Sequence, residues 1–140
     1  MDYIKILRRE TGYFFLDLQK QGANNINLVT PTIYAYQIKD ALRISKSKGL
    51  RVPVVYNSNG YENVETLKAL DGYIDVYLPD LKYYYDDIAF KYSGIKDYFN
   101  NATESINEMY RQVGSPQLDK NGIIQKGLII RHLVLPNNIE

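Results

Sequence analysis

Charged and polar side chains follow the short apolar runs of this 140-residue sequence, and these are the residues with which chemistry could be done. Asp80 and Lys82 stand two positions apart after one run, so alternation along an extended chain puts them on one face. Arg131 stands inside the last run. An acid and two bases on one surface are suited to bind a zwitterion. The polar residues after the two earlier runs are Thr30, Pro31 and Thr32, and then Asn57, Ser58, Asn59 and Gly60.

Each of these residues also has a purely structural interpretation. Asp80 and Lys82 would form a loop ion pair, which contributes little to stability when it is exposed. The polar residues after the second run are first of all turn formers. Arg131 lies among apolar neighbours, and burying a guanidinium without an anion is costly, so a ligand clamp and a structural role both stay open for it. His132 is expected to lie in the core or behind the site.

The spacing of apolar residues predicts the elements that must position these side chains. Helical spacing over residues 4–18 ends at Gly22, with an interruption expected at Gly12. Further helices are predicted over residues 34–45, 64–70, 87–92 and 98–113, and strands over residues 26–30, 52–56, 74–78 and 128–135. A polar loop over residues 119–122 is expected before the last strand, which Pro136 ends.

Strands that alternate with helices indicate an α/β fold with a parallel sheet, because a helix is the usual crossover between parallel strands. The length of 140 residues suits a single domain. Both common parallel architectures, the barrel and the doubly wound sheet, bind ligands beyond the carboxyl ends of their strands. The polar residues at the four strand ends are therefore expected to converge on one rim.

Composition excludes several functional classes. The 17 Lys and Arg residues nearly balance 16 Asp and Glu residues, so no field of one sign is present to attract nucleic acid or an anionic membrane surface. The first residues, MDYIKILRRE, have no apolar leader segment, and no run reaches the 18 or more apolar residues that a membrane span needs. We therefore expect a cytoplasmic protein that binds neither nucleic acid nor membranes.

Cysteine is absent, and His132 is the one histidine. These counts exclude a disulfide scaffold, a cysteine nucleophile, a thiolate zinc site, a site of several histidines and a cysteine-ligated iron–sulfur cluster held by this chain alone. Any metal chemistry of the fold would need ligands from outside these residues.

Five segments resemble radical S-adenosylmethionine (SAM) proteins of the pyruvate formate-lyase activating enzyme type, closest to a branch found in bacteria and archaea. They occur in family order and extend over nearly the whole chain. The segments are GANNINLVTPTIY at residues 22–34, VPVVYNSNGY at 52–61, IDVYLPDLKY at 74–83, MYRQVG at 109–114 and GLIIRHLVLP at 127–136.

The resemblance implies a partial TIM-type barrel, written (β/α)6, whose first strand leads into a CxxxCxxC loop that binds a 4Fe-4S cluster. In such enzymes the cluster binds SAM and cleaves it reductively, which generates a 5′-deoxyadenosyl radical. In the activating enzymes this radical takes a hydrogen atom from a glycine of a glycyl-radical partner enzyme. The present chain resembles the second to fifth strands of that core and begins after the cluster loop.

The resemblance also assigns roles to the polar strand ends. Thr30–Thr32 matches the family segment whose backbone receives the SAM amino group, and Asn57–Asn59 matches the approach to the methionine and ribose. Asp80 and Lys82 match an Asp-x-Lys pattern that faces SAM and substrate. Arg131 matches an arginine that meets the SAM carboxylate.

Two departures accompany this match. Asn24 and Ile33 stand where the branch usually has histidines, and the cluster cysteines are missing. We therefore expect part of a radical SAM enzyme whose cluster is bound by a missing N-terminal segment. The alternatives are a non-catalytic module that binds a SAM-like ligand, and a protein-interaction domain that associates, including with itself, through open sheet edges.

The absence of cysteine leads to a chemical prediction. After reconstitution with iron and sulfide, the purified 140-residue chain should show no visible cluster absorbance and should cleave no SAM under reducing conditions, because it has no thiolate ligands. Iron analysis and chromatography of the nucleoside products test this. Stoichiometric iron together with SAM cleavage would contradict it.

Overall fold

The computed structural model describes residues 3–132 and 134, with the backbone alone for residues 3–7. Helices and strands alternate along this part of the chain, as predicted. The helices are α1 Tyr3–Lys20, α2 Ala35–Ser47, α3 Val64–Ala69, α4 Asp86–Ser93 and α5 Tyr98–Val113, with a 3-10 turn at Thr32–Tyr34 before α2. The strands are β1 Ile26–Val29, β2 Val54–Ser58, β3 Val76–Pro79, β4 Gln117–Leu118 and β5 Ile124–Leu128. In these residues no helix combines the length and apolar character needed to cross a bilayer.

The five strands form one sheet in the order β1-β2-β3-β5-β4. Strands β1, β2, β3 and β5 run parallel, and β4 pairs antiparallel with β5 at the far edge. The register aligns Leu28, Tyr56, Tyr77 and Leu128 across the parallel strands. The predicted α/β fold with a parallel sheet is confirmed, and its parallel strands follow chain order.

Helices α1, α2, α3 and α5 pack against one face of this sheet, and α4 packs against α5. Alternate strand residues form a core with Phe15 of α1, Leu42 of α2, Leu67 of α3 and Met109 of α5. The strand residues in that core are Ile26, Leu28, Val54, Tyr56, Tyr77 and Leu128. The residues between them point to the opposite face, which we call the open face, where Val29 is 68% exposed. Val55 and Val76 also point to this face and are buried, and the helices of the core cluster all lie on the other face, whereas a doubly wound sheet would carry helices on both.

Gly12 does not interrupt α1, contrary to the sequence prediction. The helix runs unbroken through this position and packs along α2. A β-carbon at residue 12 would lie 2.9 Å from the carbonyl oxygen of Ala41 and 3.3 Å from Ile44 Cγ2. Glycine is therefore present because it lets two helices approach closely.

The last strand begins earlier than predicted. Asp119 turns the expected polar loop into a hairpin, because its carboxylate accepts hydrogen bonds from the amides of Asn121 and Ile123. Strand β5 follows this turn, and its pairing with β3 continues past Leu128, since Ile129 N donates to Tyr77 O at 2.9 Å. Residues 133 and 135–136 of the predicted strand, with Pro136, lie outside the described residues.

Strand β1 forms an edge of the sheet. Its burial alternates, with Ile26 and Leu28 buried and Asn27 and Val29 exposed, so this strand is buried on one face only. The amides of Ile26 and Thr30 donate to β2 and the residue before it. By alternation, the amides of Asn27 and Val29 point away from the sheet. This unpaired edge can accept a further strand.

We predict that the chain self-associates through β1, and that Val29→Pro weakens this association. Proline removes an outward amide while leaving the hydrogen bonds from Ile26 and Thr30 to β2 intact. Val29→Thr is the matched control, because it retains both the amide and a β-branched side chain. Light scattering over a range of concentrations measures the association. A wild-type chain that stays monomeric throughout, or equal association of the two variants, would contradict the prediction.

Candidate functional site

The four predicted strand ends lie side by side at the carboxyl rim of the sheet. Main-chain hydrogen bonds continue the sheet pairing into the rim. They run from Thr30 N to Asn57 O at 2.8 Å, from Asp80 N to Ser58 O at 3.0 Å and from Arg131 N to Pro79 O at 2.9 Å. The predicted convergence of the polar strand ends is correct for these backbone segments, and their side chains separate into two groups.

The first group is an ion cluster of Asp80, Lys82 and Arg131. Arg131 donates to Asp80 Oδ1 through Nε at 2.8 Å and through Nη2 at 2.7 Å. Lys82 Nζ lies 3.4 Å from the other carboxylate oxygen, which confirms that Asp80 and Lys82 share a face. One acid and two bases leave a net positive charge at the rim, so the cluster is suited to attract an anionic group.

Arg131 is not buried as the apolar sequence around it suggested. Its side chain is 46% exposed, and Asp80 supplies the anion that a buried guanidinium would have needed. The Nη1 nitrogen has no partner among the described residues, so this edge of the guanidinium can still bind a ligand. The expectation for His132 is also wrong, because this side chain is exposed, with Nδ1 2.6 Å from the carbonyl oxygen of Leu81.

The second group lies under the rim on the helix side. Ser58 is buried, whereas Asn57 is aligned with Val29 and Leu78 on the open face. Thr32 turns towards the interior and donates to a carboxylate there. The side chains of adjacent predicted residues thus point to opposite faces, because alternation separates neighbours within a strand.

Three further predicted residues shape the loops. Asn59 Oδ1 accepts from Tyr61 N at 3.0 Å, so this side chain serves the turn. Pro31 is buried, and its carbonyl oxygen accepts from Tyr34 N at 2.9 Å. Thr30 is exposed and has a φ of +50°, a conformation that is unfavourable for a β-branched residue.

Glu62 is a buried carboxylate that the sequence interpretation missed. It accepts from Thr32 Oγ1 at 2.8 Å and from the Tyr56 hydroxyl at 3.3 Å, and it is only 7% exposed. Burial raises the pKa of Glu62, and the hydrogen bonds from Thr32, Ser58 and Tyr56 oppose that rise. An acid two positions after the turn-forming Gly60 was the available signal in the sequence.

Tyr98 was missed as well. It is buried at the start of α5, and its hydroxyl accepts from Lys82 N at 2.9 Å and lies 3.5 Å from the Asp80 carbonyl oxygen. Tyr61 stacks on its ring and Tyr83 meets it edge to face. Tyr98 therefore holds the backbone that carries two members of the ion cluster. Nothing in the sequence distinguished it among 14 tyrosines.

The chemistry of the rim is that of an anion or zwitterion site. The described residues contain no group of three or more His, Cys, Asp or Glu side chains that could hold a metal ion. Two cations already engage the Asp80 carboxylate, whereas Arg131 and Lys82 retain donors. Binding of a carboxylate or a similar anion is what this arrangement can do.

One curated protein resembles most of this chain. Uncharacterized protein MJ0674 of Methanocaldococcus jannaschii is 31% identical over 126 residues, which cover 87% of the chain and 32% of the relative. The chain thus spans about a third of the length of this relative, whose name states no activity. No family model matches the chain.

Gly60 is predicted to be essential for the close contact between the loop after β2 and Asp80. Its φ is +79°, and an added β-carbon would overlap the Asp80 carbonyl oxygen. Gly122 is a matched control with the same φ of +79° and open space around it. We expect Gly122→Ala to cost roughly 1–2 kcal/mol of unfolding free energy for the backbone alone. Gly60→Ala should cost roughly 1–3 kcal/mol more because of the overlap. Urea denaturation measures both, and equal losses would contradict the role of the contact.

Glu62→Gln is predicted to change how stability depends on pH. The pKa of Glu62 in the fold lies above the ordinary value of 4.5, so the wild type loses stability as the pH rises through this interval. Glutamine does not ionise, and the free energy of unfolding of the variant should therefore improve relative to wild type as the pH rises above about 4.5. Denaturation curves across this range test the sign. A difference in unfolding free energy between variant and wild type that does not change with pH, or that falls as the pH rises, would contradict the prediction that Glu62 is buried and ionises with a raised pKa.

Proposed function

We propose that residues 1–140 form the SAM-binding part of a radical SAM enzyme of the pyruvate formate-lyase activating type. The sheet would then be a segment of a (β/α)6 partial barrel, with its open face towards the lumen. The observation that carries the proposal is the Asp80–Lys82–Arg131 cluster at the carboxyl rim. Parallel strands in chain order, with helices on one face, support the barrel assignment.

The donor set at the rim fits the amino acid end of SAM. Arg131 Nη1 and the Lys82 ammonium offer cationic donors to a carboxylate. Asn57 shares the open face with this cluster and offers an amide to a polar ligand group. Backbone groups of Thr30–Thr32, at the next strand end, would receive the amino group. All of these positions lie on neighbouring strand ends.

The residues of this chain do not fit a 4Fe-4S cluster. The sequence has no cysteine, so thiolate ligands would have to come from another segment. The relative is about three times as long as the matched region, which leaves room for such a segment in a longer protein. Hydrogen abstraction from a glycyl-radical partner enzyme is part of the same proposal and belongs to that longer protein.

The proposal is tested on the genomic reading frame that surrounds this sequence. An in-frame CxxxCxxC motif shortly upstream of Met1, and formation of 5′-deoxyadenosine by the reconstituted longer polypeptide, would support it. A longer polypeptide that contains the motif, binds its cluster and leaves SAM intact would refute it. SAM binding without any upstream cysteine motif would favour the non-catalytic module instead, for which the lack of cysteine in this chain is the supporting observation.

Arg131→Ala is predicted to abolish binding of SAM by the isolated chain. We expect the wild type to bind with a dissociation constant no better than roughly millimolar, about −4 kcal/mol, because no iron contributes to chelation. Loss of a charge-assisted hydrogen bond should weaken binding by about 1.5–3 kcal/mol. Titration calorimetry measures both proteins. Arg51→Ala is the charge-matched control, since this exposed arginine precedes β2 at the opposite end of the strand. Unchanged affinity in Arg131→Ala would remove this residue from the site.

A further inference from the structure

We infer that Glu62 is a positioning residue that holds the Thr30–Thr32 segment in its ligand-facing conformation at the rim. Glu62 lies on a different loop from this segment and reaches it through the hydrogen bond from Thr32 Oγ1 at 2.8 Å. The nature of the ligand rests on the proposed function. The positioning itself rests on contacts within this chain.

The Thr30–Thr32 segment needs an anchor because its backbone is strained. Thr30 has a φ of +50°, and a non-glycine residue in this region costs of the order of 1–3 kcal/mol. Such a conformation persists only where the surrounding structure imposes it. Thr30 N is held by Asn57 O at 2.8 Å, which fixes the start of the segment. The side chain of Thr32 fixes its end, where the 3-10 turn leads into α2.

Glu62 is itself held firmly enough to act as that anchor. The Ser105 hydroxyl of α5 accepts a hydrogen bond from the Glu62 amide at 3.3 Å and donates one to the Glu62 carbonyl oxygen at 2.8 Å. The Tyr56 hydroxyl donates to the second carboxylate oxygen. The carboxylate thus connects the loop after β1 to the core of β2 and, through its backbone, to α5.

Burying a carboxylate for a purely structural hydrogen bond is energetically unfavourable. Glu62 has no cationic partner among the described residues, and its side-chain contacts are hydroxyl groups. Desolvation of an unpaired charge costs free energy, which a neutral acceptor would avoid. The stronger hydrogen bond that a carboxylate accepts is what it adds at this position. That bond acts on the one strand-end segment with a left-handed threonine.

The test compares Thr32→Val with Thr32→Ser in the full 140-residue chain. Valine matches the shape of threonine without its hydroxyl, whereas serine retains the hydroxyl and loses the methyl group. Amide hydrogen exchange by NMR is measured at Thr30 and Tyr34, with Tyr77 in the central strand as the internal reference. Titration with SAM is measured on the same samples.

We expect exchange at Thr30 and Tyr34 to increase roughly fivefold or more in Thr32→Val, with a smaller change at Tyr77 and recovery in Thr32→Ser. If the wild type binds SAM, its affinity should fall in Thr32→Val and recover in Thr32→Ser. Unchanged exchange in the segment, or an equal increase at Tyr77, would overturn the inference. A wild type that binds no SAM while the exchange pattern appears would count against the proposed ligand and leave the positioning role supported.

Discussion

The loop that leaves β2 is the constraint on which the rim depends. Residues 57–62 accept the amide of Thr30 on one side and the amide of Asp80 on the other. Gly60 lets this loop lie directly against the Asp80 backbone, where any side chain would collide. Glu62 then returns beneath the sheet to hold Thr32. Because β2 lies between β1 and β3, its loop can fix both neighbouring strand ends.

The core beneath the rim explains part of the high tyrosine content. Tyr56 and Tyr77 are fully buried side by side in the sheet, with ring centroids 5.6 Å apart. Their hydroxyl groups are satisfied by Glu62 and by Gln112 of α5, so the rings contribute apolar burial without unpaired polar atoms. Burial raises the pKa of both phenols, which therefore stay neutral donors. The same residues that fill the core also orient groups at the rim.

The two faces of the sheet have different roles. The helix face carries the apolar packing that stabilises the fold, and the open face presents the ion cluster together with Asn57. Asp80 holds Arg131 and Lys82 close together, which reduces the freedom that these long side chains would lose on binding a ligand. Preorganised cations at the end of parallel strands suit a ligand with a carboxylate.

The sequence by itself determined the α/β alternation, the parallel sheet and the meeting of the strand ends. These follow from local periodicity and from the handed crossover between parallel strands, which are properties of short segments. The ion pair of Asp80 and Lys82 was also predictable, since two residues on one strand end share a face. Only the tertiary structure decided the partner of Arg131, which pairs with Asp80 across 51 positions of sequence.

The same holds for Gly12, Tyr98 and Glu62. Gly12 looked like a helix breaker because its reason for being glycine lies on α2, a separate helix. Tyr98 and Glu62 accept hydrogen bonds from residues 16 and 30 positions away in the sequence. Hydrogen bonds and close packing depend on distances between elements, and the periodicity of one segment carries no information about those distances.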